Sequence, residues 1–322
     1  MSIHRNLNLT NNMHVTVYHP EDHKREQMIT CLQSALPQAD VNSDAAHSTD
    51  YLVAWAPPGH IFDSAPNIKA CFSLGAGVDH WLSNGYLPAG LPLYRLEDAG
   101  MGDQMARYCR HETEHYRLLC WRYQTQQNNH QWIEHEPVDP NKIRVGLFGF
   151  GVLGRQVAAL LKADGYSVNA YRRSGVSDTS GDNDVPVFNG PDGLKRFLAT
   201  TDVLILIAPL TPQTRNIINS KSLALLPRGA WLINVARGQL VNDVDLLAAV
   251  DSGQLAGASL DVFNTEPLPA EHGFWSRQTI RITPHVAALT RAAESASQIA
   301  EKIQLLSQGE QPGGLVITER GY

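Results

Sequence analysis

The run IRVGLFGFGVLGRQVAALLKADGYSV constrains this chain more than any other feature. Gly149, Gly151 and Gly154 stand there in GxGxxG spacing between a strand-like segment and a helix-like one. A lone GxGxxG carries little weight, because glycine is common and the pattern is short. Here a second strand-like segment, SVNAYRR, follows the helix, and that context gives each glycine a physical task. Gly149 makes the tight turn, Gly151 lets the backbone approach a pyrophosphate, and Gly154 lets helix and strand pack closely. Val152 and Leu153 open the helix, whose free N–H groups and positive dipole end suit phosphate oxygens. The alternative is a glycine-rich βα turn that binds nothing.

About 20 residues past such a turn, a protein that binds NAD offers an acid to the ribose hydroxyls. This chain offers Arg172, Arg173 and Ser174 instead. A carboxylate there repels a 2′-phosphate, whereas guanidinium groups accept it through charge-assisted, planar hydrogen bonds. The expected cofactor is therefore NADPH/NADP, with NAD(H) weaker. Two solvated arginines at a strand end are the alternative.

Around this motif the chain reads as two α/β domains. From Met13, short apolar runs (HVTVYHP, DYLVAWAPP, KACFSLGAG, LPLYRLED) surround the helical pattern HKREQMITCLQSALP, which predicts βαβ units and a parallel sheet. A long helical tract, GDQMARYCRHETEHYRLLCWRYQTQQNN, reads as a connector. A second series then begins, with IRVGLFG, DVLILIAPL, AWLINVA, LAGASLDV and IRITPHV strand-like. SGVSDTSGDNDVPVFNGPDG reads as a loop. The last helical stretch, TRAAESASQIAEKIQLLSQGE, is placed back on the first domain. The expected boundaries are 13–108 with 290–322 for one domain and 109–289 for the other, and 1–12 is expected to be a disordered extension. A hydrophobic content of 43% over 322 residues is enough for two cores.

A net charge of −6 argues against a general binder of nucleic-acid backbone. No apolar run approaches the roughly 20 residues that cross a bilayer. The four cysteines have no CxxC spacing and the N-terminus has no signal-peptide pattern, so a cytoplasmic protein with reduced thiols and no metal site is expected.

Of 13 histidines, His285 in RITPHVAALT stands out. It follows a strand-like run and a proline, at the sheet edge where α/β proteins place ligands. LINVARGQLVND puts Arg237 just after another strand, and SLDVFNTEPLP puts Asp261 and Glu266 after the next.

Together with SLGAGVDHWL, RLEDAGMGDQM, GLFGFGVLG and APLTPQTRNII, these segments resemble the D-isomer-specific 2-hydroxyacid dehydrogenase family. The resemblance runs from about Met13 to the terminal ERGY. It implies a Rossmann-type dinucleotide-binding domain beside a smaller flavodoxin-like α/β substrate domain, with the active site in the cleft. It also implies a homodimer and a small 2-oxo or 2-hydroxy acid substrate, with glyoxylate and hydroxypyruvate foremost. Arg237 is implied to orient the substrate, His285 to exchange the proton, and Glu266 to support His285. Reduction adds hydride to C2 while charge develops on the carbonyl oxygen, so a general acid must protonate that oxygen. An arginine polarises the same carbonyl and binds the carboxylate.

The resemblance further gives the backbone N–H groups of Ala76 and Gly77 to the substrate carboxylate, where the residues alone read as an ordinary strand-to-helix turn. Asp261 is implied to hold the nicotinamide carboxamide, or else it caps a turn. Pro209, Leu210 and Thr214 lie in a loop beneath the adenosine, and Val235 and Ala236 join the cofactor set. Trp55 resembles an indole that closes a small active site, although a strand-end Trp is as often core. Two rivals are an NAD-linked dehydrogenase acting on lactate or phosphoglycerate, and a dinucleotide-sensing binding protein of the same fold.

Overall fold

The computed structural model describes residues 13–173 and 185–322; the expectations for 1–12 and for Ser174 lie outside the described residues. The chain divides into two compact units, one comprising the residues up to Gly100 with Thr290–Tyr322, the other Met101–Leu289. The boundary expected at 108/109 falls inside a helix that this division gives whole to the second unit.

The first unit runs β1 (Met13–Tyr18), α1 (Asp22–Ala35), β2 (Ala39–Asn42), β3 (Tyr51–Ala54), α2 (His60–Ser64), β4 (Ala70–Ser73), α3 (Asp79–Leu82) and β5 (Leu93–Tyr94). Its strands pair in parallel in the order β2-β1-β3-β4-β5. The order reverses at β1 and β3, and the carboxyl ends of strands at such a switch point are where α/β sheets bind ligands. All four positions of β3 and of β4 are buried, as in a parallel sheet covered on both faces.

The second unit begins with α4 (Met101–Arg117) and α5 (Cys120–Asn128). It continues with β6 (Arg144–Phe148), α6 (Val152–Ala163), β7 (Ser167–Arg172), β8 (Val187–Asn189), α7 (Gly190–Ala199) and β9 (Val203–Leu206). The rest is α8 (Ser220–Leu223), β10 (Ala230–Asn234), α9 (Asp243–Asp251), β11 (Leu255–Leu260) and β12 (Ile280–Ile282). All seven strands are parallel, in the order β12-β11-β10-β9-β6-β7-β8, which reverses between β6 and β9. Leu147, Ile205 and Ile233 fill the core on one face and Leu204, Leu206 and Leu232 that on the other. This two-sided burial is why VLIL and AWLIN read as continuous apolar runs rather than alternating ones. The chain then returns to the first unit, where α10 (Ala292–Ser307) packs on α1.

Three elements differ from the sequence reading. The long helical tract is two helices, because Leu119 takes a left-handed φ of 57° where no glycine or proline announces a break. Its first part is no bare connector: α4 packs on α6, and a Cβ at Gly102 would fall 2.0 Å from Gln156 Oε1. The segment read wholly as loop ends in edge strand β8 and the start of α7; three half-exposed residues are too few to show a period. Strand β2, four residues inside LPQADVNSD, was likewise too short to read. Among the described residues, no helix is long and apolar enough to cross a membrane.

Candidate active site

Three loops at the carboxyl edge of the second sheet carry Arg237, Glu266 and His285. Arg237 follows β10, and the turn that holds it is set by Asn234, buried at the strand end. The Asn234 side chain accepts from the Ala236 N–H at 3.1 Å and donates to the Arg237 carbonyl at 2.9 Å. Next to Arg237, a Cβ on Gly238 would fall 2.0 Å from the Phe263 carbonyl carbon. Only glycine lets the Arg237 turn lie against the Phe263–Asn264 backbone, the start of the loop that bears Glu266. Asn234 and Gly238 were not singled out from the sequence, although NVARG contains both.

Glu266 binds at both ends. Its Oε1 accepts the Phe263 N–H at 2.9 Å, and its Oε2 lies 2.9 Å from His285 Nδ1. Burial alone would raise this carboxyl, but the His285 bond, the Phe263 N–H and the charges of His285 and Arg237 outweigh it and hold Glu266 below the usual glutamate range. An ionised Glu266 only accepts, so Nδ1 carries the proton toward it and Nε2 is left for chemistry. Both side chains are partly open, at 43% and 40% exposure, so solvent and substrate can reach them.

His285 sits on a left-handed backbone, φ 55°, uncommon for a residue with a side chain. Asp261, 1% exposed at the end of β11, holds that turn. Its Oδ1 accepts from Thr283 Oγ1 at 2.6 Å and from the Val286 N–H at 2.9 Å, its Oδ2 from the Ala287 N–H at 2.9 Å, and its carbonyl from the His285 N–H at 2.8 Å. These are the bonds of a turn cap. Burial raises the Asp261 carboxyl above its usual value, the bonds from Thr283, Val286 and Ala287 and the His285 charge opposing it.

The glycine turn lies at the switch between β6 and β9. Gly149 has φ 112°, and a Cβ there would fall 2.7 Å from the Ala208 nitrogen; a Cβ at Gly154 would fall 2.7 Å from the Gly149 carbonyl oxygen. A Cβ at Gly151 would meet nothing within 4 Å, and no side chain caps the helix that begins at Val152. An exposed, uncapped first turn with room at Gly151 fits a dinucleotide pyrophosphate.

At the end of β7, Arg172 donates to the Phe150 carbonyl from Nε at 3.1 Å and from an Nη at 2.8 Å, its guanidinium 5.4 Å from the Phe150 ring centroid. Arg173 reaches the loop after β9, donating to Thr211 Oγ1 at 3.0 Å and to Gln213 Oε1 at 2.9 Å. In that loop Pro209 is exposed and Leu210 half-buried, while buried Thr214 ties the loop to itself by donating to the Pro209 carbonyl at 2.8 Å. Val235 and Ala236 are buried at the end of β10.

The first unit holds Trp55, Ala76 and Gly77. Trp55 follows β3 at the carboxyl edge, its N–H donating to the Tyr18 carbonyl at 3.0 Å. Its half-buried ring stacks on His80 at 4.0 Å and covers Gly75, where a Cβ would fall 2.7 Å from the indole. Ala76 and Gly77 follow on the turn after β4, both half-buried.

The family description "D-isomer specific 2-hydroxyacid dehydrogenase, NAD binding domain" matches residues 114–287. Glyoxylate/hydroxypyruvate reductase A of Yersinia enterocolitica is 40% identical over 318 residues, covering 96% of this chain and all of that protein. Among solved structures, a D-isomer specific 2-hydroxyacid dehydrogenase from Xanthobacter autotrophicus Py2, in complex with NADPH and MES, has TM-score 0.90 and 34% identity over 96% of this chain and 99% of its own. An NADPH-dependent glyoxylate/hydroxypyruvate reductase from Sinorhizobium meliloti, in complex with NADP and sulfate, has TM-score 0.85 and 32% identity, covering 97% of this chain and 100% of its own.

Proposed function

Because this chain belongs to the D-isomer specific 2-hydroxyacid dehydrogenase family, we propose that it reduces small 2-oxo acids with NADPH, glyoxylate to glycolate and hydroxypyruvate to glycerate, with His285 as proton donor. The observation that carries the reading is the 2.9 Å His285–Glu266 pair beside Arg237 at the carboxyl edge of a dinucleotide-binding sheet. The relatives named for glyoxylate and hydroxypyruvate reduction support the substrate class.

Bound NADPH supplies the hydride that adds to C2 of the substrate. The protein's part is to stabilise and to protonate. Arg237 binds the carboxylate and draws charge from the carbonyl as it develops. His285 Nε2 gives its proton to the carbonyl oxygen, and Glu266 stabilises the imidazolium before transfer. The Ala76 and Gly77 N–H groups are proposed to meet a carboxylate, and Trp55 to bound the space for a small acid. On the cofactor side, the first turn of α6 takes the pyrophosphate, and Arg172 and Arg173 take the 2′-phosphate. We assign the loop of Pro209, Leu210 and Thr214, with Val235 and Ala236, to the remainder of the cofactor; Asp261, whose carboxylate is committed to Thr283, Val286 and Ala287, we assign to the turn of His285 rather than to the carboxamide.

The proposal includes a cytoplasmic homodimer. Trp132 is 94% exposed beside half-exposed Ile133, an arrangement that favours burial against another surface. Sedimentation of the parent and of Trp132→Ser tests the dimer. Oxidation of NADPH and of NADH with a panel of 2-oxo acids tests the activity: turnover of glyoxylate and hydroxypyruvate with NADPH is expected, and binding of NADPH without turnover of any acid contradicts it.

A further inference from the structure

Beyond the residues assigned so far, α4 sends one side chain into the turn that carries His285. Tyr108 Oη lies 2.7 Å from Thr283 Oγ1, which lies 2.6 Å from Asp261 Oδ1. The direction of this chain follows from its end. An ionised carboxylate accepts only, so Thr283 donates its single proton to Asp261, and the threonine oxygen is left to accept from Tyr108. Burial pushes the Tyr108 phenol up, so it remains protonated and can donate. Asp261 then grips the three residues of the turn, taking the N–H of Val286 and Ala287 on its two carboxylate oxygens and that of His285 on its carbonyl. His285, the first of the three, is the one on the left-handed backbone, a conformation that persists only where its surroundings enforce it.

We infer that Tyr108 is a positioning residue for His285: its hydroxyl, acting through Thr283, fixes Asp261 in the orientation that holds the left-handed turn and aims Nδ1 at Glu266. The inference rests on the reading of His285 as proton donor. It assigns a function to a helix that the sequence presents only as a connector. A catalytic group displaced by a fraction of an ångström loses rate in the chemical step while bound groups elsewhere keep their affinity. The signature of Tyr108 is therefore a change in kcat without a change in cofactor binding.

The test uses Tyr108→Phe, which removes only the hydroxyl, with Thr283→Val, Thr283→Ser and the combined Tyr108→Phe/Thr283→Val. For glyoxylate reduction with NADPH, kcat is expected to fall about three- to tenfold in Tyr108→Phe, with the glyoxylate KM and the NADPH dissociation constant within about twofold of the parent. Thr283→Val is expected to lose at least as much, Thr283→Ser to recover most of that loss, and the combined variant to be no slower than Thr283→Val alone. Parental kcat in Tyr108→Phe overturns the inference, as does the same fold-loss from Tyr108→Phe in both backgrounds. A loss wholly accounted for by a smaller folded fraction also overturns it. His285→Ala, measured beside these, separates the layers: an active His285→Ala defeats the proton-donor reading, whereas an inactive one beside a parental Tyr108→Phe defeats this inference alone.

Discussion

Whereas the Glu266–His285 pair is held by bonds to main chain and by a buried carboxylate beneath it, Arg172 and Arg173 are anchored from above, through their own guanidinium groups. Around His285 the N–H groups of Phe263, Val286, Ala287 and His285 itself are all committed within 2.9 Å of Glu266 or Asp261. Arg172 instead lies across the Phe150 carbonyl and ring, and Arg173 leans on two side chains of the neighbouring loop. The difference suits the two tasks proposed for them. Proton transfer needs one geometry, preset before substrate arrives, and backbone bonds supply it. Phosphate recognition needs charge and a planar fork more than one fixed pose, so guanidinium groups at a strand end suit it.

Breaking the preset end should cost most. His285→Ala should lower kcat by about 10²–10⁴-fold while a direct NADPH titration stays parental; a joint loss of NADPH affinity would place His285 with the cofactor groups instead. At the other end, Arg172→Ala/Arg173→Ala should raise the NADPH KM by about one to three decades, each charge-assisted bond contributing less where solvent screens it. NADH kinetics should hardly move, and equal losses with both cofactors would remove the 2′-phosphate from the account.

Glu266→Gln sharpens the contrast through pH. In the parent, Glu266 titrates below its usual range, so the pair survives mild acid and is lost only as pH falls through that depressed value. Glutamine keeps the shape of Glu266 but removes the charge that faces His285 Nδ1, so the activity of Glu266→Gln should fall away at lower pH than that of the parent. An unmoved profile takes Glu266 out of proton transfer. The smallest effect belongs to Gln213→Ala, which frees one exposed contact of Arg173. It should change the NADPH KM by no more than about twofold, as read by titration at constant salt, and a tenfold change would mean that Gln213 itself holds the cofactor.

Much of this is legible in the sequence alone. Glycines at 149, 151 and 154 can be read because each answers a steric demand that survives in one dimension: strand, turn, helix. Parallel strands buried on both faces announce themselves as apolar runs. What could not be read is what depends on contacts between distant segments. Gly238 looks like any loop glycine until the Phe263 backbone is found where its side chain would be. The break at Leu119 carries no local signal, and β2 and β8 are too short for a period. Tyr108 and Thr283 are 175 positions apart, and nothing in either segment names the other.

The contrast between the two regions is tested most directly by kcat/KM for NADPH, at saturating glyoxylate, in the parent, Glu266→Gln, Arg172→Ala/Arg173→Ala and the variant combining all three changes. Glu266 is bonded to Phe263 and His285, Arg172 to Phe150, and Arg173 to Thr211 and Gln213. Separate tasks predict that the parent turns over glyoxylate and that the two losses multiply to within about twofold in the combined variant. A parent that binds NADPH and reduces nothing, or a combined variant no worse than the poorer of its two components, would contradict the account.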